Sequence, residues 1–183
     1  LGIEGEGGSI PAPAAAVAWM GIAEGDSWRN VGASLTFFIT LATLALTYAQ
    51  FRTTRADLAA LRPLVPWILL FAVSNAFSEE IIYRLGVVVP LVGSIDARYI
   101  LLLSAIAFGL PHLRGIPNGI IGATMAGVLG WLLAKSVVET RGIFWAWTIH
   151  FVQDVVIFSA LLLDARHSVT GLGALASGTP SSE

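Results

Sequence analysis

Residues 63–92, PLVPWILLFAVSNAFSEEIIYRLGVVVPLV, decide how this chain is read. The run is apolar and uncharged from 63 to 78, carries Glu79, Glu80 and Arg84, and is then apolar again to Val92. A helix needs about 20 mostly apolar residues to cross the hydrocarbon core of a bilayer. The stretch therefore predicts one long membrane helix over 64–90 with charges inside it. A charged side chain at the bilayer centre costs about 2.5–3.5 kcal/mol. Three of them have to pair with other groups or face a wet cavity inside the protein.

The rest of the chain agrees. Of its 183 residues 56 % are hydrophobic and only 12 % are charged, against roughly 25 % charged in an ordinary soluble domain. Mean hydropathy is +0.79. So few charges cannot cover the surface of a soluble protein of this size, and a soluble helical bundle would need a polar face on each helix. The absence of cysteine excludes a disulfide scaffold, and the apolar content excludes intrinsic disorder. Ten Lys and Arg against twelve Asp and Glu, with a formal net charge of −2 and no basic run, speak against a nucleic-acid partner. The expected partner is the lipid bilayer.

Gaps between charges mark the other spans. Nothing between Arg29 and Arg52 is charged, which predicts a span over 32–51. A run between Arg98 and Arg114 ends at His112 and is short, as in a helix that is tilted or stops inside the protein. Residues 115–134 are uncharged, and 142–163 are apolar apart from His150 and Asp154. The expected fold is all-α: a polytopic transmembrane helical bundle of about five spans, with its polar groups in the bundle interior. Residues 1–31 are expected to be loose, with a short interfacial helix over 10–22. Residues 32–166 form the transmembrane domain, and the Gly/Ser-rich 167–183 a disordered tail that leaves His167 on the surface. Because the chain starts at Leu1 rather than Met, further sequence is expected upstream. The arginine cluster 52, 55 and 62 favours that side of the membrane as cytoplasmic. Gly119, Ala123 and Gly127, and separately Gly122, Ala126 and Gly130, let helix backbones approach closely. Trp145 and Trp147 suit a membrane interface.

Six titratable residues lie inside the apolar runs: Glu79, Glu80, Arg84, His112, His150 and Asp154. Glu80 and Arg84, Phe108 and His112, and His150 and Asp154 are each four residues apart, a spacing that puts both members on one helix face. Three helices can thus turn a polar face toward one centre. Glu80 has a local partner in Arg84. Glu79 has none, which suits a general base for water. Pro111, just before His112, removes a helix hydrogen bond, and irregular backbone at membrane depth is tolerated where it lines a cavity. Each residue taken singly reads most simply as structural. The set together points to a hydrolytic site, or to a metal or proton path.

The motifs Glu79-Glu80-Ile81-Ile82-Tyr83-Arg84, Phe108-Gly109-Leu110-Pro111-His112 and His150-Phe151-Val152-Gln153-Asp154 resemble, in order, those of the CPBP family. These are the CAAX proteases and bacteriocin-processing enzymes, also called the ABI family, and the resemblance covers about residues 32–163. It implies an intramembrane glutamic endopeptidase. By that resemblance Glu79 activates a water molecule and His112 holds or polarises it. His150 and residue 154 stabilise the oxyanion, while Glu80 and Arg84 orient Glu79 and neutralise charge. It also implies a membrane-associated protein or peptide substrate and, for a bacterial-type member, the cytoplasmic membrane of a prokaryote. Prenyl-processing members carry Asn at the last motif position, where this chain has Asp154. Either Asp154 holds its own proton, or it accepts a hydrogen bond from His150 and fixes that ring.

No cofactor is expected, although two His plus carboxylates are acceptable zinc ligands and leave zinc as an alternative. The zinc-protease signature His-Glu-x-x-His, the serine signature Gly-x-Ser-x-Gly and a pair of intramembrane aspartates are all missing from the sequence. The rival readings are a bacteriocin-immunity or scaffold protein without catalysis, and a transporter or proton path.

Overall fold

The computed structural model describes residues 9–51, 55–115 and 119–177. The expectations for 1–8 and 178–183 lie outside the described residues. The chain forms helices α1 (Trp28–Phe51), α2 (Arg55–Ala60), α3 (Val65–Glu80), α4 (Val89–Leu91), α5 (Ala97–Gly109), α6 (Gly119–Thr140) and α7 (Phe144–Ser177). Among the described residues, four helical stretches are long and apolar enough to cross a membrane: Trp28–Ala49, Arg62–Leu91, Gly119–Thr140 and Phe144–His167. The protein is an integral membrane protein with a polytopic helical bundle. The remaining expected span, the run ending at His112, forms α5, which has 13 residues and is therefore only about 20 Å long, short of the roughly 30 Å hydrocarbon core. It passes into a 3-10 turn, Leu110–Arg114, with Pro111 as its second residue.

The deciding stretch is continuous but not uniform. Pro66 sits in the first turn of α3, where its missing N–H would be unbonded in any case. After Glu80 the helix widens into a π segment, Ile81–Val88, before α4. The N–H of Val89 reaches back five residues to the carbonyl of Arg84. Buried positions fall at every fourth residue: Ile68, Ala72, Ala76, Glu80, Arg84 and Val88. In an α-helix such a stripe drifts about 40° per step. The wider π turn rotates less per residue and swings the stripe back, so Glu80, Arg84 and Val88 all stay inside. The π segment thus begins directly after the two glutamates, a placement common for such bulges at functional sites.

Helices α5 and α6 approach closely through the small residues read from the sequence. A Cβ added at Gly130 would lie 2.7 Å from the Cβ of Phe108, and one at Gly109 would lie 2.6 Å from the carbonyl of Ala123. The hydroxyl of Ser104 donates to the carbonyl of Gly130 at 3.1 Å. This close fit presses Phe108 toward the bundle centre.

Four expectations are corrected. The segment 10–22 is not an interfacial helix: it enters a two-stranded antiparallel hairpin, β1 (Pro13–Ala14) with β2 (Asp26–Ser27), closed by one 3-10 turn, Ala18–Met20. Pro11 and Pro13 lack the N–H a helix needs. This strap is tied to α6 and α7. Lys135 donates to the carbonyl of Ala15 at 2.9 Å, and Trp145 donates to that of Ile10 at 3.0 Å. Trp145 is accordingly packed in the core rather than at an interface. Helix α6 does not stop at Ala134. Lys135 is only 3 % exposed and pairs with Glu139 one turn on, while Glu139 accepts from Trp28 Nε1 at 2.8 Å. Finally, α7 runs to Ser177, so 167–177 is helix and not disordered tail. No proline interrupts it there, and Leu172, Ala174, Leu175 and Ala176 favour helix. His167 is exposed, as expected, and pairs with Asp57 at 2.7 Å.

Candidate active site

Helices α1, α3, α5, α6 and α7 surround a cavity of about 360 Å³. Glu79, His112, His150 and Asp154 all line it, as do Phe108, Asn75 and Gln153. Glu80 and Arg84 do not; they lie behind it, both completely buried. The three helix faces read from the sequence therefore do converge, on two layers.

Neighbouring glutamates on one helix point about 100° apart, and here that separates two environments. The Glu79 side chain is 30 % exposed and faces the cavity, with Oε2 3.6 Å from His150 Nε2. Glu80, at 0 %, takes His150 Nδ1 on Oε1 at 2.8 Å and faces Arg84 Nε with Oε2 at 3.1 Å. The Glu80–Arg84 contact is an ion pair without hydrogen-bond alignment. The terminal nitrogens of Arg84 find no hydrogen-bond acceptor among the described residues. The guanidinium instead lies 4.7 Å over the ring of Phe108, a cation–π contact. Phe108 is thus a hub. Its edge or face also meets Tyr83, His112 and His150 at centroid distances of 5.1, 5.2 and 5.5 Å.

Both rings are oriented through Nδ1. His112 Nδ1 lies 2.8 Å from the carbonyl of Phe108; since a carbonyl only accepts, Nδ1 donates, and in a neutral ring Nε2 is left as an acceptor. His150 Nδ1 donates to Glu80, so His150 can donate from Nε2 only as an imidazolium. The carboxylate that fixes the His150 ring is therefore Glu80. Asp154 Oδ1 stands 3.8 Å from His150 Nε2, too far for a hydrogen bond. The option that Asp154 fixes this ring is corrected accordingly. The expectation that Glu80 orients Glu79 is likewise replaced by contacts to His150 and Arg84.

These six residues sit within the part of the chain, residues 61–156, that matches the family model described as type II CAAX prenyl endopeptidase Rce1-like. The chain belongs to this family. The match spans slightly more than half of the sequence, from the turn before α3 to just past Asp154. No curated protein and no solved structure matches the chain. The Rce1-like family is one of membrane proteases, in agreement with the resemblance carried by the three motifs.

The cavity also holds residues that the motif reading passed over. Asn75 Nδ2 stands 3.2 Å from Asp154 Oδ2 and 3.4 Å from Glu79 Oε1. Its place one α-helical turn before Glu79 was the available signal. Gln153 bonds to two α1 hydroxyls, donating to Thr40 Oγ1 at 3.0 Å and accepting from Thr43 Oγ1 at 2.7 Å. That contact crosses 110 residues of sequence, and no local pattern announces it. Among the described residues no group of three or more His, Asp or Glu side chains is arranged to hold a metal ion.

Proposed function

We propose that this protein is an intramembrane endopeptidase that hydrolyses a peptide bond in a membrane-associated protein or peptide, with Glu79 activating the attacking water. The observation that carries the reading is the division of labour between adjacent glutamates. Glu79 is open to the cavity beside His150, while Glu80 is sealed behind it between His150 and Arg84. A base must reach its water. A buried carboxylate bonded to a histidine serves instead to set that ring's orientation and to balance its charge, as in catalytic triads.

In this reading Glu79 takes a proton from water as the water oxygen bonds to the peptide carbonyl carbon. His112, an acceptor at Nε2, helps hold the water. His150, as an imidazolium over Glu80, donates toward the carbonyl oxygen as charge develops there. Glu79 then returns its proton to the leaving amine. Arg84 balances the charge of Glu80 and holds it in place, so its role is positioning. No cofactor takes part in these steps. The catalytic unit is proposed as residues 32–166, and the proposed location is the cytoplasmic membrane of a prokaryote. A prenylated CAAX-type peptide is the first substrate to try, because the family is described by that chemistry.

The test uses the purified full chain in detergent with an internally quenched farnesylated peptide ending in a CAAX sequence. Cleavage by wild type that is abolished in a folded Glu79→Gln variant is the expected result. Equal cleavage by both proteins would remove Glu79 from the mechanism. Cleavage by neither, on this peptide and on a mixed peptide library, would favour a scaffold or immunity role.

A further inference from the structure

We infer that Asn75 is a catalytic residue, the oxyanion donor whose N–H needs no ionised group, and that protonation of Glu79 is the event that hands this N–H to the substrate. The inference rests on the endopeptidase reading above. Asn75 lines the cavity, and its Nδ2 stands between Glu79 Oε1 at 3.4 Å and Asp154 Oδ2 at 3.2 Å. Both neighbours are carboxylate oxygens, so the amide nitrogen and not its oxygen faces them.

The other nitrogen groups on the cavity are less available. The Gln153 amide is committed to Thr40 and Thr43. His112 donates from Nδ1 to Phe108, and His150 carries a proton on Nε2 only when charged. Asp154 has no N–H at all. Asn75 therefore offers a donor whose proton does not depend on the ionisation of its own side chain.

The exchange follows the electrons. As the water oxygen bonds to the carbonyl carbon, the water proton goes to Glu79 and the carbonyl π pair goes to oxygen. Glu79 becomes neutral in the same step that creates the oxyanion. A hydrogen bond to an ionised acceptor is about twice as strong as one to a neutral acceptor. The N–H on Glu79 thus loses its charged partner just as a new one forms beside it. Asp154 keeps the second N–H and holds the amide plane. When Glu79 returns the proton to the leaving amine and the carbonyl reforms, the N–H returns to Glu79.

The test measures kcat and KM on the farnesylated quenched peptide for wild type, Asn75→Ala, Asn75→Asp and the exchange Asn75→Asp with Asp154→Asn, each verified as folded by gel filtration. Loss of one oxyanion donor lowers kcat by about 10²–10³-fold with KM unchanged, because the contact exists only in the transition state. Asn75→Asp falls below Asn75→Ala, since a carboxylate cannot donate and opposes the oxyanion. The exchange puts an amide back on the cavity, at position 154, and recovers at least about tenfold over Asn75→Asp, part of the same donor contribution. Wild-type kcat in Asn75→Ala overturns the inference. So does Asn75→Asp outperforming Asn75→Ala, the order a packing role gives, or an exchange variant with no recovery. If Asn75→Ala does not fold, the near-isosteric Asn75→Asp and the exchange decide alone. A wild type that cuts nothing overturns the endopeptidase reading and this inference together; in the other outcomes wild type is active and only Asn75 is at fault.

Discussion

Replacing Glu80 by Gln separates stability from catalysis at this site. Glu80 and Arg84 are both at 0 % exposure, with Nε and Oε2 3.1 Å apart. Solvent does not screen the pair, so the surface value of under about 1 kcal/mol does not apply. Glu80→Gln keeps the shape, removes the negative charge and strands a guanidinium whose terminal nitrogens have no hydrogen-bond acceptor among the described residues and which lies over the Phe108 ring. Breaking a buried pair by removing one partner costs about 3–5 kcal/mol. For a chain of this size each kcal/mol is about 2–4 °C in Tm, so thermal unfolding in detergent should fall by roughly 6–20 °C. The double variant Glu80→Gln with Arg84→Met removes both charges and should regain most of that stability, because apolar replacement of a whole buried pair is near neutral. Activity should not return with it. His150 Nδ1 has still lost its carboxylate, and exchange of such a carboxylate for an amide behind a catalytic histidine costs up to about 10⁴ in kcat. The assay is tryptophan-fluorescence melting and peptide cleavage on the same preparations. An unchanged Tm in the single variant, or full activity in the double, would refute the reasoning.

Three further outcomes follow from the packing. Gly130→Ala should lower stability by about 1–3 kcal/mol, the usual cost of overpacking, because its Cβ would meet the Cβ of Phe108 at 2.7 Å; a variant as stable as wild type would show that α5 and α6 can part without cost. Lys135→Met should loosen the N-terminal strap, which loses its bond to Ala15 and leaves Glu139 without its cation; limited proteolysis should cut within residues 9–27 sooner than in wild type, and an unchanged digest would contradict the tie. Thr43→Val should weaken the contact between α1 and Gln153 by about 1 kcal/mol, the net worth of one hydrogen bond, with melting in detergent as the check.

Much of this architecture was legible because lipid is a demanding solvent. Long gaps between charges located α1, α3 and α7, and the shortness of the run ending at His112 matched the 13 residues of α5. Sequence reading went wrong where a charge was taken as a boundary. Lys135 looked like the end of a span, but burial against Glu139 and the Ala15 carbonyl lets α6 continue to Thr140. The strap was missed because a two-residue strand pair has no periodicity to detect, and the π segment because nothing in Ile81–Val88 names it. At the site, fourth-residue spacing marked Glu80 with Arg84 and His150 with Asp154, yet spacing cannot say which partner wins. His150 chose Glu80 over Asp154 by a full ångström, at 2.8 against 3.8 Å. Asn75 and Gln153 escaped because neutral amides carry no charge, and only charged or titratable side chains marked the apolar runs.

Cleavage in oxygen-18 water tests most directly the claim that water activated by Glu79 attacks the peptide bond. The full chain would be turned over many times on the farnesylated peptide, and both the product and the digested protein analysed by mass spectrometry. Direct attack predicts oxygen-18 in the new carboxylate of the product and none in the side chain of Glu79. Label appearing in Glu79 would mean that the glutamate itself had bonded to the substrate and been hydrolysed free, which would contradict its role as a base.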